Sequence, residues 1–168
     1  MRCLTESECE SEAQHLGLTL GEGFLSLMDG REPSSVSLRI PLHTGEQAAL
    51  VNSLFRPDSG TKQWLLWLTA WGIFPSEEYP VIWREIREKH GESRPLIEAP
   101  GHLFGEGEGE LVRGMARLAM LFAWDAFFWP APPTIAGFMS HDEVLFLYAK
   151  DEDALAAATA DLGSFLVK

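Results

Sequence analysis

The sequence predicts an α+β or three-layer α/β fold, a single domain over residues 1–168 with a mixed sheet of four or five strands and about five helices. Three observations carry the prediction. Apolar residues recur with a helical period in some stretches and with a period of two in others. A strand, helix, strand order over residues 36–71 permits a right-handed parallel crossover. Residues 134–149 form two nearly unbroken apolar arms about a polar "HD" dipeptide, the pattern of an antiparallel hairpin. A chain of 168 residues is long enough to bury one substantial core.

Along the chain, Thr5 and Glu8 form a capping box for a first helix near 5–16, closed by Gly17. Residues 18–28 suit a weak hairpin turning at Gly21 and Gly23, and 29–35 read as loop. "VSLRIPL" alternates Val36, Leu38, Ile40 and Leu42 against Ser37, Arg39 and Pro41. It reads as a half-exposed strand that ends at Pro41 or lies on an edge. Thr44, with Gln47, caps a helix over 45–55. "QWLLWLTAW" at 63–71 is apolar on both faces, as a central strand is. Ser76 caps a helix over 77–90 that tolerates Pro80 near its start and ends at Gly91. Its Arg84, Glu85, Arg87, Glu88 and Lys89 read as a solvated face.

Residues 92–109 form the longest irregular segment, which Leu96, Ile97, Leu103 and Phe104 mark as packed on the core. Its alternating Gly-Glu run looks like a phosphate loop only superficially: no Lys or Ser/Thr follows, and its own charge is negative. It reads as a hinge into a fourth helix over 109–128. A last helix begins at Asp151 and ends at Gly163.

Net charge is −12. Acidity gathers at the two ends: seven carboxylates against two arginines over residues 1–35, and six against two lysines over 131–168. Such a surface repels nucleic acid and anionic membranes and favours a basic protein partner. Nucleic-acid stacking needs positive charge beside the aromatics, and residues 63–76 carry none. No apolar stretch is long enough to span a bilayer, and "MRCLTESECE" has no apolar signal core. Cys3 and Cys9, six apart among glutamates, fit neither a metal site nor a disulfide framework, and a cytoplasmic location is expected. Nothing in the sequence calls for a cofactor.

Two polar positions stand out. Asp125 lies inside "LFAWDAFFWP", on the apolar stripe of the fourth helix with Leu111, Met115, Leu118 and Phe122. A lone ionised carboxylate there costs several kcal/mol, so it must be paired, hydrogen-bonded or protonated. Three readings are open. It accepts hydrogen bonds from loop amides or an arginine (Arg84, Arg87 or Arg94), it lies at a frayed wet helix end, or it is a general base with a raised pKa. The second position is Ser140-His141-Asp142-Glu143 at the hairpin tip. It is readable as turn chemistry, as a partner contact, or as an acid/base or metal half-site completed by His102.

At "LLWLTAWGIFPSEE", "RPLIEAPGHLF" and "SHDE" the chain resembles a group of small bacterial proteins of unknown function. The resemblance spans most of residues 1–150 and implies one compact domain without supplying an activity. Size and acidity are also similar to those of bacterial immunity proteins that neutralise toxins, by analogy alone. The expected function is therefore a non-catalytic acidic binding protein, an immunity-type antidote or accessory subunit. Its expected binding residues are His102, Asp125, Ser140, His141, Asp142 and Glu143. The alternative is a small metal-dependent or hydrolytic enzyme using the "EAPGHLF" and "SHDE" loops.

Overall fold

The computed structural model describes residues 1–15, 18–21, 24–27, 32–56, 61–71, 81–131 and 135–167. Strand β1 (Arg2–Leu4) leads into helix α1 (Glu6–His15), a short hairpin β2 (Leu18–Gly21) and β3 (Phe24–Leu27), and strand β4 (Ser34–Arg39). Helix α2 (Thr44–Leu54), strand β5 (Gln63–Ala70), helix α3 (Val81–Lys89), strand β6 (Gly101–Phe104) and helix α4 (Gly109–Leu121) follow. The chain ends with β7 (Asp125–Ala131), β8 (Ala136–Ser140), β9 (Val144–Ala149), helix α5 (Glu152–Thr159) and a 3-10 turn at Gly163–Phe165. Ser76 and the start of the expected 77–90 helix lie outside the described residues, as do Gly17 and Gly23.

Among the described residues the main sheet has seven strands in the order β1-β6-β5-β7-β8-β9-β4, and every pairing is antiparallel. The expected mixed sheet of four or five strands is thus too small and wrong in type. The added strands are β1 with three residues, β6 with four inside the segment expected to be irregular, and the seven-residue β7 at the expected end of the fourth helix. The crossover through α2 joins β4 and β5, but three strands separate them, so no parallel pair forms between them.

Strand β5 is apolar on both faces because both faces are covered. Leu66 and Leu68 join Phe104, Phe128, Met139, Leu145 and Leu147 under α2, α3 and α4. Leu65 and Trp67 join Phe127, Trp129 and Phe138 on the side that α1 covers with Cys9 and Ala13. Gly101 lets α1 come close, since a Cβ there would stand 2.1 Å from the Cys9 sulfur and 3.0 Å from Leu4 Cβ. Leu96 is buried as expected, whereas Ile97 is exposed.

Local chemistry fixes four of the helix ends. The Thr5 amide donates to the Glu8 carboxylate at 2.7 Å and the Glu8 amide to Thr5 Oγ1 at 3.3 Å, completing the capping box. Asp151 caps α5 by accepting from the Ala154 amide at 2.8 Å. At α2 the cap position falls to His43 without a side-chain bond, and Gln47 instead donates to the Pro41 carbonyl at 2.9 Å. Gly91, at φ +80°, closes α3: its amide bonds Glu88 O and the Glu92 amide bonds Arg87 O.

Helix α4 ends at Leu121, earlier than the sequence suggests, by the same device without glycine. Ala123 adopts φ +50°, its amide bonds Met120 O, and the Trp124 amide reaches back to Ala119 O at 2.9 Å. The chain then turns into β7, and Asp125 becomes a strand residue rather than part of a helical stripe.

Candidate functional site

Asp125 is the first residue of β7, opposite Ala70 across a register shift between Leu68 and Ala70. Its carboxylate, 15% exposed, faces the β8–β9 turn. There the His141 amide donates to Oδ1 at 2.7 Å, and His141 Nδ1 lies 2.9 Å from Oδ1 and 3.1 Å from Oδ2. The need for a partner is met by one loop amide and one imidazole. The segment held is the hairpin tip. The three expected arginines engage other groups: Arg84 lies near Glu88, Arg94 pairs with Glu92, and Arg87 bonds Ala99 O.

The tip itself is tightly specified. The Glu143 amide bonds Ser140 O, the Asp142 amide bonds Ser140 Oγ at 3.2 Å, and the Ile40 amide bonds Glu143 O at 2.8 Å. Glu143 has φ +61°, a conformation usually left to glycine in three-residue hairpin loops. Strain at a bulky residue of this kind costs on the order of 1 kcal/mol and clusters at functional segments. His141, Asp142 and Glu143 are all exposed. The Asp125 hydrogen bond, then its charge, raise the His141 pKa above its ordinary value of 6.5. The other ring nitrogen, Nε2, lies 3.6 Å from Asp142 Oδ1.

His102 occupies a different environment. It is the second residue of β6, opposite Cys3 on one side and Leu66 on the other, and it is fully buried. Its ring meets Trp83 edge-on at 5.3 Å between centroids. Burial first, and the positive charge of Arg87 second, lower its pKa from 6.5 to about 3, so it is neutral near pH 7. The Leu66 and Pro100 backbone favours the protonated ring in part. Among the described residues, however, neither ring nitrogen has a partner in good hydrogen-bonding geometry.

The sheet register separates His102 from the tip. His102 stands opposite Leu66, which stands opposite Phe128, three residues along β7 from Asp125. Two strand spacings and three residue rises put the two Cα atoms roughly 14 Å apart. His102 therefore does not share one constellation with the Asp125–His141 pair. Among the described residues, no three His, Cys, Asp or Glu side chains are placed to hold a metal ion.

The charge pattern of α3 does not reveal that Arg87 is buried. Trp83 and Arg87 are four apart on one helix face, and both are buried with the Cys3 thiol and His102 nearby. That spacing is the available signal. Burial raises the Cys3 pKa despite Arg87, and it raises that of Cys9 further, so neither thiol is activated.

Strand directions place several carboxylates at one end of the sheet. Leu4, Gly101, Ala70, Asp125, Ser140, Val144 and Arg39 all end or begin their strands there. The first turn of α1, with exposed Glu6 and Glu8, therefore opens at the same end as the tip. Thr5 holds the Glu8 pKa below its ordinary value. No described helix is long and apolar enough to cross a membrane. No protein-family model, curated protein or solved structure matches this chain.

Proposed function

We propose that this chain is a non-catalytic binding protein, of the immunity-antidote or accessory-subunit kind, that offers an acidic surface to a basic protein partner. The observation that carries the reading is the placement of Glu6 and Glu8 at the same sheet end as Asp142 and Glu143. Four strand spacings separate the two groups, roughly 20 Å. A patch of that width suits an interface of about 800 Å² per partner. Exposed carboxylates steer a cationic partner and set the salt dependence of its association. The strained, pinned tip holds Asp142 and Glu143 in one arrangement before binding, which lowers the ordering cost. The experiment is capture from the native lysate at low and high salt, with Asp142→Asn/Glu143→Gln as comparison. A basic protein held at low salt, released at high salt and lost by the variant supports the reading. Equal retention by both proteins refutes it.

A second reading follows from the Asp125–His141 pair. A carboxylate on Nδ1 of an exposed imidazole, here with Nε2 3.6 Å from Asp142 Oδ1, is the arrangement of a general base. On this reading the chain is a small hydrolytic enzyme that does not use His102. Hydrolysis of a broad ester or phosphoester panel, abolished by His141→Ala, would favour it over the first.

A further inference from the structure

At the opposite end of the sheet a cleft of about 320 Å³ opens between the C-terminus of α2, the start of β5 and the Gly105–Gly109 loop. Its lining includes Arg56, Lys62 and Arg113, three of the chain's thirteen basic residues. Among the described residues it includes a single carboxylate, Glu110. We propose that this cleft binds the phosphate group of a small molecule.

The two guanidinium groups are already oriented. Arg56 Nε donates to the Ser53 carbonyl at 3.1 Å, and Arg113 Nη1 donates to the Phe55 carbonyl at 2.9 Å. Both are thus held by backbone at the end of α2. Each turns an Nη2 group to a carboxylate: Arg56 to Asp161, Arg113 to Glu110. Those carboxylates are 64% and 92% exposed. Exposed ion pairs contribute little, so a dianion can replace them at small cost. Two arginines and a lysine lining one cleft suit the several oxygens of a phosphate. Space is left for it at the loop: Gly107, at φ +85°, has nothing within 4 Å of where a Cβ would stand. The Gly-Glu run lacks its own cations, and the fold supplies them from the segments flanking α2 and β5 and from α4. Phe55 and Trp64, whose rings lie 4.6 Å apart and are buried, pack beneath the cleft.

The test titrates the whole chain with inorganic phosphate and with phenyl phosphate at constant ionic strength, reading ¹H–¹⁵N shifts and calorimetric heat. The proposal expects saturable shifts at the Gly105, Gly107 and Gly109 amides, and roughly tenfold weaker binding in Arg56→Gln/Lys62→Gln. Lys62→Glu alone, at an exposed position, is the second variant should the pair fail to fold. Tighter binding of phenyl phosphate assigns the site to an organic phosphate, and equal binding of both assigns it to the phosphate group alone. Shifts no larger than those from chloride, or binding unchanged in the variants, overturn it.

Discussion

Asp125 and His141 are sixteen residues apart in sequence, yet one carboxylate oxygen meets both the backbone amide and the ring nitrogen of the histidine. The contact ties the first residue of β7, beside the register shift, to the turn that follows β8. A polar group on an otherwise apolar strand is tolerated because its lone pairs are used.

Removing that charge should loosen the tip. Asp125→Asn keeps the shape but weakens both bonds, and a loss of about 1–2 kcal/mol is expected. For a chain of this size the melting midpoint should fall by roughly 2–8 °C. Calorimetry checks it, and an unchanged midpoint would mean that the tip does not need the carboxylate.

Packing of α1 on β6 gives a second prediction. Gly101→Ala places a methyl group against the Cys9 sulfur and should cost about 1–3 kcal/mol. Cys9→Ala in the same chain removes the clashing atom, so the double variant should be more stable than Gly101→Ala alone. Urea unfolding of the three proteins measures this.

Much of this architecture can be read from residues, and the failures have physical causes. The Thr5–Glu8 box, the Asp151 cap, the 63–71 strand and the 134–149 hairpin carry local signals that depend on few distant contacts. The end of α4 carries none, because Ala123 takes the left-handed position where glycine would have announced a stop. "LFAWDAFFWP" consequently extends the helical period by coincidence. Strand β6 is four residues long and includes a glycine and a histidine, so its pattern is too short to show. The sequence marks Asp125 and the tip separately, and only the sheet brings them together. The cations of the opposite cleft come from three parts of the chain, which no local motif can reveal.

Acid should destabilise the fold through His102. Its folded pKa, about 3, lies below the ordinary 6.5, so between these values the unfolded chain binds the proton and the folded one does not. Stability attributable to this ring is therefore complete above pH 6.5 and declines as pH falls, by on the order of 1.4 kcal/mol per pH unit. Ordinary carboxylates add their own effect only near about 4.5 and below. Chemical denaturation between about pH 6.5 and 5 should show the slope in the native chain and lose it in His102→Phe.

Titration of His141 by NMR, in the native chain and in Asp125→Asn, tests the central pairing most directly. The Asp125 carboxylate favours the protonated ring, so the native midpoint should lie above 6.5 and fall in the variant. The linked stability is present below about pH 6.5 and is lost as pH rises through the raised midpoint. Equal midpoints in the two proteins would contradict the pairing.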